Sequence, residues 1–158
     1  MGVVLHADDY GITVAQARAI LALVDRSGRD GAKGLRSASA FANSPAFREA
    51  AELARPCVES GALRLGVHLN LVEGPCCADA ADIPLLVDER GMFRHDFVGL
   101  WRLSWGAGRE ALRRQAATEF AAQIERFLAA FPEERCRLRV DSHQHTHAIP
   151  ALFDAMLD

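Results

Sequence analysis

An α/β fold built on a parallel sheet is what this sequence predicts, and three observations predict it. Short apolar runs alternate with segments of helical period, no hairpin turn joins neighbouring runs, and polar clusters recur where the apolar runs end. Gly2 to Leu5 reads as the first strand, and Val14 to Val24 carries apolar residues at helical spacing toward a stop near Gly28. Leu35 to Phe41 (LRSASAF) reads as the second strand. Ser44-Pro45 supplies an N-cap followed by proline at the first helical position, which opens a helix running toward Arg55. Leu63 to Leu71 (LRLGVHLNL) is the third strand, and Arg109 to Phe131 is the longest helix, stopped by Pro132. Leu138 to Val140 makes a fourth strand, and Pro150 opens a last helix that runs to Asp158.

The bulk numbers set the class. At 158 residues, 50% hydrophobic and 25% charged, the chain has the composition of one globular domain spanning 1–158. A net charge of −3 with scattered arginines offers no basic stripe for nucleic acid and no polybasic patch for a membrane. No apolar run has the length of a membrane span, and the N-terminus lacks a signal-peptide pattern, so a cytoplasmic address is expected. Cys57, Cys76, Cys77 and Cys136 form no C-x-x-C pair and are expected as reduced thiols. Phe120, Phe127 and Phe131 are expected in the core. Trp101 and Trp105, four apart, suit packing on a helix face or stacking on a sugar ring. The segment 73–108 is longer than ordinary loops and is expected to cover a substrate.

In a parallel α/β sheet, functional residues collect beyond the C-terminal ends of the strands. Asp8 and Asp9 follow the first run, Asn43 the second, His68 and Asn70 the third, and Asp141, His143, His145 and His147 the fourth. Two adjacent carboxylates at the edge of an apolar core repel each other and need compensation, for which a cation is the economical choice. Both aspartates serve only if the chain turns there, and Gly11 is placed to permit it. The spacing of Asp141, His143, His145 and His147 places them on one face if extended and fans them round a point if the chain turns. Asp and His together are the usual donors for a divalent ion. Taken singly, an Asp-Asp-x-Gly turn or a histidine in an apolar strand is unremarkable; their coincidence at one sheet edge carries the reading.

"HADDYGIT", "LGVHLNLVEG" and "VDSHQHTH", in that order, resemble the signature blocks of the YdjC-like carbohydrate deacetylase family, and "SASAFANSPAF" resembles that family's second strand and following helix. The resemblance implies the N-terminal part of a distorted TIM-like (β/α) barrel and an enzyme that removes an N-acetyl group from an amino sugar or oligosaccharide. It implies one divalent ion, magnesium or zinc, held by Asp9, His68 and His143, with Asp8 as the base. His147 is expected around the metal or at the substrate, with His145, Asn70 and Asn43 as further residues of that kind. Relatives in the family carry Asn where this chain has His6. They also run well beyond this length and contribute further strands and a late His-Pro region, so a truncated C-terminus, a possible homo-oligomer and impaired turnover are expected of these 158 residues. Two other readings stand beside the enzyme: a catalytically impaired metal-binding fragment, and a receiver-like magnesium-binding signalling domain. The receiver reading needs a phospho-accepting aspartate after the third strand, where this chain has His68.

Overall fold

In a computed structural model that describes residues 4–24 and 34–158, four strands lie side by side in chain order, all parallel. They are β1 (His6–Tyr10), β2 (Ser37–Ala40), β3 (Arg64–Leu69) and β4 (Val140–Ser142). The helices are α1 (Val14–Leu21), α2 (Phe47–Glu59), α3 (Phe97–Leu103), α4 (Arg109–Ala130) and α5 (Pro150–Leu157). The α/β class and the parallel sheet therefore hold.

Strand positions differ from the sequence reading in an instructive way. The first strand is not Gly2 to Leu5: Gly2 and Val3 lie outside the described residues, and Val4 and Leu5 are 65% and 56% exposed. Instead HADDY itself pairs with β2, His6 opposite Ser37 and Ala7 opposite Ala38, so the two aspartates belong to the strand. The register then slips between Ala7 and Tyr10, and Tyr10 returns fully buried, its hydroxyl donating to Ala50 O at 2.7 Å. The turn expected at Gly11 (φ 87°) begins two residues earlier, at Asp9 itself, whose φ is 62°. β4 likewise starts two residues later than expected, which puts Asp141 inside the strand opposite His68 and leaves His143 as the first residue beyond it.

Helix limits follow the capping chemistry. Thr13 caps α1, its hydroxyl accepting from Gln16 N–H at 3.1 Å, and the helix stops at Leu21, three residues short of the expected Val24, while Gly28 lies outside the described residues. Ser44 does not cap α2 directly. Its hydroxyl accepts from Ala46 N–H and donates to Ile12 O, shaping a turn from which the helix starts at Phe47 and runs through Pro56 to Glu59. α4 matches its expected span within one residue, and Phe120, Phe127 and Phe131 are buried as expected. The core also takes Leu65, Val67 and Leu69 of β3 and Leu112 and Ala116 of α4.

Residues 73–108 are built rather than loose. Antiparallel bridges join Pro75 to Met92 and Val87 to Phe93, α3 follows, and Ile83, Leu86, Val87 and Leu100 enter the core. Trp101 on α3 and Trp105, two residues past its end, stand edge to face, 47% and 65% exposed, so packing into a helix interface does not account for them.

Gly66 sets the approach of β4 to β3. A Cβ there would lie 2.7 Å from the backbone oxygen of Arg139, the same oxygen that accepts from Val67 N–H. Arg139 O is a backbone atom held by its bond to Val67 N–H, so it cannot yield cheaply. Gly66→Ala is expected to cost about 1–3 kcal/mol in chemical denaturation; a wild-type midpoint would show that β4 shifts freely.

Candidate metal centre

Two imidazoles converge on one carboxylate oxygen. His68 Nε2 lies 3.1 Å and His143 Nδ1 2.8 Å from Asp9 Oδ1. Asp9 comes from the end of β1, His68 from β3, where its side chain is 5% exposed, and His143 from the turn after β4. Phe41, just past β2, lies beside both rings, with centroids 5.5 Å from His68 and 4.9 Å from His143. All four strand ends thus contribute, as a parallel sheet dictates.

Each imidazole is also backed by a second carboxylate. His68 Nδ1 donates to Asp141 Oδ1 at 2.5 Å, and His143 Nε2 lies 2.9 Å from Glu73 Oε1. A neutral imidazole has one N–H and one lone pair, so between two carboxylates it satisfies one and turns its lone pair on the other. A divalent cation where Asp9 Oδ1, His68 Nε2 and His143 Nδ1 meet resolves the conflict, because both lone pairs then face the ion and both N–H groups face the outer carboxylates. Asp9, His68 and His143 therefore form a group that can hold a metal ion.

His6, Asp8 and Asp141 form a second group beside the first. His6 Nε2 lies 3.1 Å from Asp8 Oδ1, 3.4 Å from Asp141 Oδ2 and 3.2 Å from Ser39 Oγ. Its Nδ1 lies 3.0 Å from Arg139 Nη2 and 2.7 Å from Ser37 Oγ. A guanidinium only donates, so Nδ1 is the acceptor and Nε2 carries the proton toward the two carboxylates. Here Arg139, through His6, does what an ion does in the first group. Asp141 joins the groups, one oxygen to each; burial acts to raise its carboxyl, but the bonds and charges of His68, Ser39 and His6 outweigh it and hold it below the ordinary carboxylate value.

Backbone strain gathers at the same place. Among the described residues, the non-glycine positions with positive φ are Asp9, Gln144 and His145. The left-handed pair at Gln144 and His145 fans out the histidines of VDSHQHTH. His143 turns in to Asp9, His145 is exposed, and His147 folds back so that its Nδ1 pairs with Ser142 Oγ at 2.7 Å. Only His143 of the three joins Asp9 and His68; His145 and His147 meet each other edge to face.

Asn43 and Asn70 act on the loop that bears Glu73. Asn43 Nδ2 donates to Glu73 O and Pro75 O, at 3.2 and 2.9 Å, which leaves its buried Oδ1 without a protein partner beside a cavity of about 160 Å³. Asn70 Oδ1 accepts from Val72 and Glu73 N–H, and its Nδ2 donates to Glu73 O. Farther along, Glu119 of α4, fully buried, accepts from Cys77 and Ala78 N–H and from Gln123, which in turn bonds the backbone of Asn70. Nothing in the sequence singles out Glu73 or Arg139, and His6 stands out only as a departure from the Asn of relatives; the one signal for Glu73 was its place three residues past Asn70, within reach of an Asx turn.

Burial raises the Glu119 carboxyl, only partly offset by the amides of Ala78, Gln123 and Cys77 that favour its charged form. An acid whose folded value is raised contributes stability in full below its unfolded value and loses it as pH rises toward the folded one. The wild type should therefore lose thermal stability relative to Glu119→Gln as pH climbs from about 4 upward; melting curves that stay parallel at every pH would remove Glu119 as the cause.

The chain is 33% identical over 150 residues to a carbohydrate deacetylase of Geobacillus stearothermophilus, covering 95% of this chain and 52% of that protein. It is 29% identical, with the same coverage, to a chitooligosaccharide deacetylase of Salmonella paratyphi B. A crystal structure of an Enterococcus faecalis protein, assigned to cellobiose-phosphate cleavage, superposes with a TM-score of 0.70 at 28% identity, covering 98% of this chain and 53% of that one. The chain thus spans about half the length of the relatives it matches. The model of the YdjC-like proteins matches residues 2–158, and the chain belongs to the YdjC-like family.

Proposed function

We propose that this chain carries the metal-binding part of a carbohydrate deacetylase, which hydrolyses the acetamide of an N-acetylated amino sugar with one divalent ion, magnesium or zinc. The observation that carries the reading is the convergence of Asp9, His68 and His143 at the strand ends of a sheet whose relatives are named deacetylases. The strand order, consecutive without reversal, suits successive strands of a (β/α) barrel better than a doubly wound sheet.

A divalent ion supplies two services to amide hydrolysis, polarising the acyl oxygen and acidifying a water. The protein's residues divide the remaining work. Asp9, with His68 and His143, holds the ion. Asp8 is 58% exposed beside His6 and is free of that group, so it is placed to take the proton from the attacking water. His6 Nε2 lies 3.1 Å from Asp8 Oδ1 and orients it, while Phe41 and buried His68 close the floor of the site against bulk water. Segment 73–108, which begins at Glu73, covers the substrate in this reading, and the exposed pair Trp101 and Trp105 stays available to a sugar ring.

Acetate release from an N-acetylated chitooligosaccharide, slow in these 158 residues alone but abolished by a chelator and restored by magnesium or zinc, is the expected result; release indifferent to chelation would reject the metal role. Calorimetry should find that His68→Ala and His143→Ala each abolish stoichiometric uptake of the ion, and uptake unchanged in both would reject the ligand set. The two aspartates should separate. Asp8→Asn is expected to keep the ion and lose about 10²-fold or more in turnover, whereas Asp9→Asn should weaken ion binding itself; equal loss of metal in both would refute the division.

A further inference from the structure

His143 is held from two sides. Its Nδ1 faces Asp9 Oδ1 at 2.8 Å and its Nε2 faces Glu73 Oε1 at 2.9 Å, while the side-chain nitrogen of Gln144 comes no nearer to Nε2 than 3.5 Å. We propose that Glu73 is the positioning residue for the metal site. Its carboxylate accepts the Nε2–H of His143, fixes the tautomer with the lone pair on Nδ1, and aims that lone pair at the ion. The inference rests on the reading of Asp9, His68 and His143 as ligands and extends it to a residue outside that set.

Three observations point the same way. First, His68 provides an internal comparison, since its Nδ1 is served by Asp141 while its Nε2 faces Asp9. The imidazoles are thus oriented alike, one by a carboxylate from β4 and the other by a carboxylate from the loop after β3. Second, His143 needs such a partner more than His68 does. His68 is fixed by a strand backbone and is buried, whereas His143 begins a turn whose next two residues are left-handed.

Third, the backbone beneath Glu73 is unusually well fixed for a loop. Glu73 N–H donates to Asn70 Oδ1, and its carbonyl accepts from both Asn43 and Asn70. Gly74 follows at φ +79°, where a Cβ would lie 3.4 Å from Asn43 Nδ2, and Pro75 O takes the other Asn43 bond. The N–H groups of Cys77 and Ala78 end on Glu119. A carboxylate about half exposed would by itself wander; on this anchored backbone its reach to His143 is set by β2, β3 and α4 together. Asn43, Asn70 and Glu119 thereby act on the ion through Glu73.

The test uses the full chain and zinc alone. Glu73→Ala should weaken zinc binding in calorimetry by about 10–100-fold at unchanged stoichiometry, and Glu73→Gln, which keeps an acceptor oxygen at the same reach, should recover part of the loss. Nitrogen NMR of the metal-free protein, at a pH where the imidazole is neutral, should show His143 protonated on Nε2 in the wild type and divided between tautomers in Glu73→Ala. That signature would not move if Glu73 merely held the loop together. Zinc affinity of Glu73→Ala within twofold of a wild type that binds, or an unchanged His143 tautomer, overturns the role of Glu73 alone. A wild type that takes up no zinc overturns the metal reading, and the orienting role falls with it.

Discussion

Asp9 Oδ1 is the atom on which the rest of this structure turns. An extended β1 would send Asp8 and Asp9 to opposite faces of the sheet, so Asp9 reaches the two histidines only because its own φ is 62°. A left-handed conformation costs a non-glycine residue roughly 1–2 kcal/mol, least for Asn and Asp. That choice of residue type keeps the strain small and delivers a carboxylate in the same step. The register slip between Ala7 and Tyr10 is its visible consequence, and the return of Tyr10 to the core, bonded to Ala50 O, keeps the slip from spreading.

A site at the ends of parallel strands is assembled from loops, and here the loops are made rigid by side chains that bond backbone. Asn43 and Asn70 hold the carbonyl of Glu73 from two strands, and Gln123 and Glu119 of α4 hold the backbone on either side. Each of these groups is buried, and removing one would leave donors or acceptors of the loop unsatisfied at about 1–3 kcal/mol apiece. Long α4 is therefore more than a cover for the sheet. Its polar positions Glu119 and Gln123, one turn apart, face the loop, while Phe120 and Phe127 face the core.

What was legible in the sequence followed from periodicity. α4 declares itself through a long helical pattern closed by Pro132, and β3 through apolar residues at alternate positions from Leu63 to Leu71; α4 stands where expected and β3 lies within its expected span. β1 misled because HADDY has no apolar alternation, and its neighbours Val3 and Val4 have more of the strand's composition than the strand does. Its pairing is decided by β2, whose small Ser37 to Ala40 side chains admit a polar neighbour, and no local pattern carries that information. The trio Asp9, His68 and His143, which the fold brings together, came from the resemblance of three conspicuous blocks to a family, not from spacing alone. Glu73, His6 and Arg139 were not, since a lone charged residue in a loop or at a strand end has no spacing to mark it, and its meaning lies in a partner 133 positions away, as with Arg139 and His6.

The two adjacent aspartates that look alike in sequence are made different by what neutralises them. Asp9 Oδ1 faces one ring nitrogen each of His68 and His143, and in the proposed reading its counter-charge would be a divalent ion. Asp8 faces Nε2 of His6, whose Nδ1 accepts from Arg139, and its side chain stays more than half exposed. Asp141, between them, gives one oxygen to His68 and the other toward His6. That shared carboxylate ties the two groups electrostatically: drawing His68 N–H toward Asp141 frees its lone pair for an ion on one side, and the same carboxylate helps hold the His6 proton beside Asp8 on the other. In the proposed reading the repulsion between neighbouring carboxylates would be resolved by giving each a different counter-charge, a bound ion for Asp9 and, through His6, the guanidinium of Arg139 just before β4 for Asp8, which would also separate a residue that binds from one free to take a proton.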